Sequence, residues 1–211
     1  MEPDWVTDTR ASYDTVAVSY GEMLKDALDG QPVVRHVLAM FAELVLSAGG
    51  GPVVDVGCGT GRVTAHLRTL GLDASGVDLS PGMVEVARQD HPGVRFDVGS
   101  MTGLDLADGS VQGILAWFSI IHVPDDAVRQ AFGEFRRVLR DGGVVLVGFY
   151  VGDTTVLKTE GYGGHPMKVH VHRRPIERVA GWLTEAGLHT DVELLHHLTD
   201  TVTGGMLIAH A

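Results

Sequence analysis

The chain has 211 residues, of which 45% are hydrophobic and 20% charged, a balance typical of a soluble globular domain with one core. Its formal net charge of −11 disfavours binding to nucleic acid or to anionic membranes. No apolar run approaches the length of a membrane span, and the N-terminal segment has no apolar signal-peptide core. Because Cys58 is the single cysteine, no internal disulfide forms. We therefore expect a cytoplasmic protein with a small-molecule partner; the oligomeric state stays open.

The first 48 residues are predicted to be helical. Residues 10–29 form one helix or two short ones, and residues 33–47 carry apolar side chains at helical spacing. The three glycines at 49–51 end the second helix. We expect residues 1–48 to form a helical cap on a single domain that spans residues 1–211.

Strands and helices alternate over the next hundred residues. Strands are predicted at 52–57, 73–80, 94–100, 112–119 and 142–151, with helices at 62–71, 81–90 and 125–140. The tail differs, because a helix at 174–188 precedes two consecutive strands at 191–198 and 204–211. The pattern predicts an α/β fold, with a Rossmann-like doubly wound mixed sheet of seven strands and an antiparallel C-terminal hairpin at its edge. Residues 49–150 form the expected cofactor-binding core, and residues 151–211 a substrate-covering segment with the last strands.

The stretch VVDVGCGTGR, residues 53–62, places Gly57, Gly59 and Gly61 between a buried strand and a helix. Glycines there allow the backbone to turn sharply and to approach a ligand closely, although a plain tight turn is the alternative. The third glycine arrives one residue too early for the dinucleotide fingerprint. Asp55 would repel a pyrophosphate but would suit a cationic amino group. These features favour S-adenosylmethionine, which has an amino group, a sulfonium and no phosphate.

A second acidic residue, Asp78, ends the second predicted strand in GVDLS, at the distance past the loop where a carboxylate binds ribose hydroxyls. Alone, it would equally suit a turn or a helix cap. Ser80 and Pro81 then have the residue types of an N-cap and a first helical position. Together with the glycine loop, Asp78 indicates an adenosyl ligand.

The motifs VVDVGCGTGR, GVDLSPGM, VRFDVGSM and GILAWFSIIHV, in this order, resemble those of the class I S-adenosylmethionine-dependent methyltransferases. Within them the chain is most similar to the small methyltransferases of the type 11 and type 25 kind, which act on diverse small molecules. The resemblance covers residues 10–150, and the tail in topology only. It implies methyl transfer to a small-molecule acceptor, and it leaves O-, N- and C-methylation all open.

The resemblance also implies cofactor-binding residues. Asp55, Gly57, Cys58 and Gly59 would line the methionine end, Asp78 would bind the ribose hydroxyls, and Leu79 and Met83 would pack on adenine. Ala116 and Trp117 would contact the methionine part, and Tyr20 would lie over the cofactor, with Tyr13 as a further candidate. Where the family has Gly-Asp-Ala after the third strand, this chain has Gly99, Ser100 and Met101, so the adenine contact loses its charge.

The resemblance places His122 just after the fourth strand, where an imidazole would act as a general base if the acceptor is a hydroxyl or an acidic carbon. A structural histidine that bonds to backbone is the alternative. Residues 153–172 would cover the substrate, with Tyr162, His165 and His170 as candidate contacts. If residues 170–172 were extended, His170 and His172 would share one face and could bind zinc as a pair, but no cysteine or carboxylate cluster supports this and we expect no metal. His196 and His197 are predicted to lie on the surface.

Two rival functions remain at this level. A nicotinamide-dependent oxidoreductase would need a different glycine spacing and would not suit Asp55. A non-catalytic cofactor-binding or regulatory protein would share the fold and the loop, since a fold does not determine activity.

Overall fold

Two helices open the structure, a computed structural model that describes residues 3–211. Helix α1 (Asp4–Leu24) begins and ends earlier than the predicted 10–29, and α2 (Pro32–Ser47) ends before the glycines at 49–51, as predicted. Met1 and Glu2, part of the predicted N-terminal segment, lie outside the described residues. Over residues 3–211 no helix is long and apolar enough to span a bilayer.

The predicted α/β sheet is present. It contains the parallel strands β1 (Pro52–Val56), β2 (Asp73–Asp78), β3 (Phe96–Val98), β4 (Val111–Trp117) and β5 (Leu139–Val151) in the order β3-β2-β1-β4-β5. The intervening helices are α3 (Arg62–Thr69), α4 (Pro81–Asp90), which Ser80 caps as predicted, and α5 (Asp125–Val138). After α6 (Ile176–Glu185), strands β8 (His189–Thr199) and β9 (Val202–His210) form the predicted antiparallel hairpin, in which β9 pairs with β5.

Two further strands bring the described sheet to nine, because residues 153–172 fold into a hairpin that the sequence did not predict. Strands β6 (Thr154–Gly161) and β7 (His165–Arg174) pair with each other. Strand β4 ends at Trp117, so the edge of β5 that it covers becomes free beyond Gly148. Strand β7 pairs with that edge of β5 at Tyr150 and Val151. The hairpin therefore extends the sheet above the carboxyl end of β4, where open α/β sheets bind ligands.

Strand β5 separates the two halves of the core. Val145, Val147 and Phe149 point to one face, against the aromatic side chains of α5 and α6. Val144 and Leu146 point to the other face, against α2 and α3. Because side chains alternate along a strand, residues 144–149 of β5 contribute to both layers of the core, and this part of the strand is a continuous hydrophobic run.

Arg174, at the end of β7, has the largest fully buried side chain in the described residues and is 1% exposed. Its guanidinium donates to the backbone oxygens of Ile120 and Val123 and, at 2.9 Å, to the carboxylate of Asp125. A short 3₁₀ turn (Ile120–His122) lies between the two carbonyls. Arg174 therefore fixes the segment after β4 to the inserted hairpin.

We expect Arg174→Leu to lower the free energy of unfolding by about 3–5 kcal/mol, because it leaves buried acceptors without a partner. The matched control is Arg178→Leu, which breaks an exposed pair with Asp153 whose side chains are 39% and 69% exposed. That change should cost about 0–1 kcal/mol. Urea denaturation of both variants measures the difference, and equal losses would contradict the structural role assigned to Arg174.

Candidate active site

The glycine loop between β1 and α3 forms the floor of the site. Gly57, Gly59 and Gly61 all have positive φ, at 77°, 56° and 76°. A Cβ on Gly57 would lie 2.3 Å from the Cβ of Ser119, so no other residue fits there. The loop backbone is held by β2, since the N–H groups of Gly57 and Cys58 both donate to the carbonyl of Val77.

Asp55 lies beneath this loop and is 1% exposed. Its Oδ2 accepts a hydrogen bond of 2.7 Å from Thr64, whereas its buried Oδ1 has no partner in the described residues. Burial raises the pKa of Asp55 to about 7, and the bond from Thr64 lowers it only in part. A cation placed at Oδ1 would satisfy the orphaned oxygen and restore the charge.

Asp78 ends β2 and lines the site. One carboxylate oxygen accepts from the N–H of Gly59 at 2.7 Å, and the other accepts from the N–H of Ser80 at 2.9 Å. Burial raises its pKa, although both bonds oppose the rise. Because each oxygen has a second lone-pair direction, Asp78 holds the loop and retains capacity for two hydroxyl donors.

A cavity of about 690 Å³ opens above the carboxyl ends of β1, β2 and β4. Several residues that the resemblance assigns to the cofactor line it: Tyr20, Gly57, Gly59, Asp78, Leu79, Ser100, Met101 and Trp117. The others are placed behind the lining. Cys58 and Met83 pack into apolar clusters, Ala116 is fully buried in the core, and burial raises the pKa of the Cys58 thiol.

Helix α1 forms the roof of this cavity. Asp14 accepts hydrogen bonds from the hydroxyl of Ser80 (2.6 Å) and from the N–H of Gly82 (2.9 Å) at the start of α4. On the other side, Ser12 accepts from the N–H of Lys168 on β7 at 2.8 Å. Tyr13 and Tyr20 on the same helix line the cavity. The roof is thus attached to both the cofactor half of the sheet and the inserted hairpin.

His122 and Tyr13 form a hydrogen-bonded pair, with 2.6 Å between the phenol oxygen and Nε2. The Nδ1 atom of His122 lies 2.8 Å from the backbone oxygen of His170, which only accepts, so Nδ1 carries the proton. In the neutral imidazole Nε2 is then the acceptor, and Tyr13 donates. Burial lowers the pKa of His122 to about 4, while burial raises that of Tyr13 well above its ordinary value.

The inserted hairpin contributes one of its candidate contacts to the main cavity. Tyr162, in its turn, lines the cavity, whereas the exposed His165 does not. His170 lines a smaller pocket of about 250 Å³ on the other side of His122, and its ring stacks with that of His172 at 6.2 Å. Over residues 3–211 no group of three metal-ligating side chains converges.

Arg62, Ser119 and His196 are among the lining residues that the sequence interpretation missed. The buried Nε of Arg62 and the buried Oγ of Ser119 lack partners in the described part of the chain. Arg62 directly follows the glycine loop at a helix N-terminus, which was an available signal. His196 was predicted to lie on the surface, but it lines the cavity. His196 is two residues from both Leu194 and Leu198, so all three lie on the half-buried face of β8. This period of two was visible in the sequence and indicated that His196 faces inward.

Parts of the chain are similar to known methyltransferases. Residues 53–143 match a family described as a methyltransferase domain. The chain is 30% identical to a demethylmenaquinone methyltransferase of Renibacterium salmoninarum over 148 residues, or 66% of this chain and 62% of the relative. It is 33% identical to a malonyl-[acyl-carrier protein] O-methyltransferase of Pectobacterium atrosepticum over 50% of this chain and 45% of the relative. It spans less than two thirds of the length of either.

Solved structures share the fold over nearly the whole chain. The 1,6-didemethyltoxoflavin-N1-methyltransferase of Burkholderia thailandensis superposes with a TM-score of 0.69 at 20% identity, over 95% of this chain and 87% of that one. The CcbJ methyltransferase of Streptomyces caelestis gives a TM-score of 0.72 at 21% identity, over 95% and 98%. The solved structures therefore show that the fold is shared with methyltransferases, and the match over residues 53–143 lies in the segment that holds the glycine loop.

Proposed function

We propose that the protein is an enzyme that transfers a methyl group from S-adenosylmethionine to a small-molecule acceptor. One observation carries the proposal: three buried polar atoms without partners surround the glycine loop, namely Asp55 Oδ1, Arg62 Nε and Ser119 Oγ. The buried carboxylate oxygen of Asp55 suits an ammonium, and the buried Nε of Arg62, a half-buried residue whose guanidinium also donates to the carbonyl of Leu24, suits a carboxylate. The amino-acid end of S-adenosylmethionine carries both. The pyrophosphate of a nicotinamide dinucleotide would leave Asp55 unpaired.

The remaining cofactor contacts follow from the cavity lining. Asp78 would accept from the ribose hydroxyls, and Leu79 and Met101 would pack on adenine near the hydroxyl of Ser100. Tyr20 would cover the cofactor, while Gly57, Gly59 and Trp117 would line it. Cys58, Met83 and Ala116 would support this layer from behind. When bound, S-adenosylmethionine supplies a methyl group on a positively charged sulfur, a good leaving group.

The acceptor is a small molecule in this proposal. The named relatives act on demethylmenaquinone, malonyl-[acyl-carrier protein] and 1,6-didemethyltoxoflavin, and the cavity of about 690 Å³ lies within the range of small-molecule sites. The net charge of −11 disfavours nucleic acid and anionic membranes as partners. A single buried cysteine suits a reducing compartment, so we propose a cytoplasmic location.

Tyr13 and His122 would receive the proton of a hydroxyl acceptor. The acceptor O–H donates to the Tyr13 oxygen, and the Tyr13 O–H already donates to His122 Nε2. As the acceptor oxygen bonds to the methyl carbon, the electron pair of the carbon–sulfur bond would stay on sulfur. The acceptor proton would pass to the Tyr13 oxygen, and the Tyr13 proton would pass to His122 Nε2. Because its pKa is lowered to about 4, His122 is neutral at pH 7, and its Nε2 is the acceptor of the hydrogen bond from Tyr13. The positive charge lost at sulfur reappears on the imidazole.

Calorimetry with S-adenosylmethionine, S-adenosylhomocysteine and NAD tests the cofactor. We expect the first two to bind and NAD to give no heat. Asp78→Ala should weaken binding at least roughly a hundredfold, because hydrogen bonds to a charged acceptor contribute about 1.5–3 kcal/mol each. The control is Asp97→Ala on the adjacent strand, whose carboxylate pairs with the exposed Arg95. Near-normal affinity in a folded Asp78 variant would refute the ribose assignment.

Asp55 gives a pH signature. Its folded pKa of about 7 exceeds the ordinary 3.8, so the native state holds this proton more tightly than the unfolded chain, and its stability contribution is lost as pH rises from 4 to 7. Relative to Asp55→Asn, the ligand-free wild type should lose up to roughly 4 kcal/mol of unfolding free energy over that range. A pH-independent difference between the two proteins would contradict the buried-carboxyl assignment.

Asp55→Asn also tests the contact between Asp55 and the cofactor, independently of the effect on stability. Affinity for S-adenosylhomocysteine should rise between pH 6 and 8 in the wild type, as Asp55 ionises, and should be flat in Asp55→Asn. The control ligand is methylthioadenosine, which lacks the amino-acid end and should bind both proteins equally. If methylthioadenosine is weakened as much as S-adenosylhomocysteine, Asp55 does not contact the amino group.

Tyr13→Phe and His122→Ala should each lower kcat roughly 10²–10³-fold, since each removes one member of the proton path. Affinity for S-adenosylhomocysteine should stay within about twofold, and the double variant should be no slower than either single one. The readout is methyl transfer to the best acceptor in a panel of phenols, with the exposed His197→Ala as control. If the kcat losses of the two single variants multiply in the double variant, the two residues act independently, and the shared proton path is refuted.

A further inference from the structure

Three aromatic side chains line the main cavity at the ends of two neighbouring strands. Trp117 ends β4 and borders the proposed cofactor position, Phe118 follows it, and Tyr150 lies near the end of β5. Their ring centroids follow one another at 5.2 Å and 5.1 Å, with interplanar angles of 83° and 51°. We call these three residues the aromatic shelf. It offers the cavity a large apolar surface in a fixed arrangement.

Phe118 is held on this shelf against its backbone preference. Its φ is 53°, in the left-handed region that few non-glycine residues adopt. The ring packs over two glycines, since a Cβ would lie 3.3 Å from it at Gly148 and 3.2 Å from it at Gly204. Glycine on two neighbouring strands thus makes room for this ring. Strain of this kind at a cavity wall points to a binding role for the side chain.

Few charged groups line the main cavity. Among the described lining residues, the carboxylate and the guanidinium belong to Asp78 and Arg62, beside the glycine loop. Around the shelf the lining is apolar or uncharged, as at Leu28, Val34 and Leu198. An ionised acceptor on the shelf would lose its hydration without gaining a partner.

Tyr13 offers the same cavity a hydrogen-bond acceptor. The phenol of Tyr13 lines the same cavity and donates its own proton to His122, so its oxygen is left as an acceptor. Tyr162 lines the same cavity, with its ring centroid 6.5 Å from that of Tyr13, and burial raises the pKa of both Tyr150 and Tyr162. The phenols of Tyr13, Tyr150 and Tyr162 therefore line the cavity in their neutral form. The ammonium of Lys158, 4.1 Å from the centroid of the Tyr162 ring, is not a lining group.

We propose that the aromatic shelf is the acceptor subsite and that it takes a flat, uncharged ring whose hydroxyl donates to Tyr13. This rests on the proposed methyltransferase function and specifies its substrate class. The acceptor oxygen bonds to the methyl carbon supplied by S-adenosylmethionine, the carbon–sulfur bond breaks towards sulfur, and the hydroxyl proton passes to Tyr13 as the Tyr13 proton passes to His122. The product is an aryl methyl ether.

Three probes of similar size test the class. 2-Naphthol is flat and neutral, decahydro-2-naphthol is neutral but puckered, and 6-hydroxy-2-naphthoate is flat but negative. Each is titrated calorimetrically into the protein saturated with S-adenosylhomocysteine. We expect 2-naphthol to bind at least roughly tenfold more tightly than either comparison compound, since offset ring contacts add about 0.5–1.5 kcal/mol each beyond burial. Equal or tighter binding of either comparison compound would overturn the proposal.

Two variants locate the binding. Phe118→Leu and Tyr150→Leu keep apolar bulk but remove a ring, and each should weaken 2-naphthol roughly tenfold while affinity for S-adenosylhomocysteine stays constant. Tyr150 has ordinary backbone geometry, so its variant is independent of any relaxation at Phe118. The control is Val156→Ala, at a side chain 59% exposed on β6. Binding of 2-naphthol that neither shelf variant changes would overturn the proposal.

The experiments distinguish failure of the methyltransferase proposal from failure of the acceptor-subsite proposal. S-adenosylhomocysteine is first titrated alone, and absence of binding there refutes the methyltransferase proposal. In that case 2-naphthol is titrated into the free protein, where the shelf residues still control its affinity if the subsite is correct. Normal binding of S-adenosylhomocysteine with no binding of 2-naphthol would refute the shelf and leave the cofactor assignment intact.

Discussion

The carboxylate of Asp78 is the contact on which the site depends. It accepts from Gly59 in the glycine loop and from Ser80 at the start of α4, so it joins β1, β2 and α4 at one point. Ser80 in turn donates to Asp14 of the roof helix. A carboxylate that accepts several N–H bonds can stay ionised despite burial. Loss of Asp78 would therefore release the loop, the helix start and the roof together.

The acceptor half of the site depends on the inserted hairpin instead. Its strand β7 supplies the carbonyl of His170 to His122, the N–H of Lys168 to the roof helix, and the guanidinium of Arg174 to the turn after β4. These contacts lie within seven residues of one strand, from Lys168 to Arg174. A change in the hairpin would move the proton-accepting pair without touching the glycine loop. The roof helix α1 is the element shared by the two halves, since it contacts β7 through Ser12 and the start of α4 through Asp14.

The sequence predicted what local spacing determines. The glycine loop, Asp78, the cap at Ser80 and the seven core strands follow from patterns within about ten residues. The Tyr13–His122 pair does not, because its members are 109 positions apart and meet only when α1 crosses the sheet. The buried position of Arg174 does not follow from local spacing either, because its acceptors Ile120, Val123 and Asp125 lie about 50 positions earlier in the chain. The hairpin at 154–174 was missed because its polar, histidine-rich sequence lacks a clean apolar alternation.

The charges of the cofactor end match those of the proposed ligand. Asp55 and Asp78 with Arg62 give a net charge of −1 when both acids are ionised, and S-adenosylmethionine at neutral pH carries ammonium, sulfonium and carboxylate, for a net charge of +1. Without a ligand, the raised pKa of Asp55 leaves that acid partly protonated near pH 7. A cation at its free oxygen would complete the ionisation and balance the site. S-adenosylhomocysteine lacks the sulfonium charge, so the same groups attract the product less strongly than the reactant. Burial of two carboxylates beside one guanidinium, costly in the empty protein, therefore favours exchange of product for fresh cofactor.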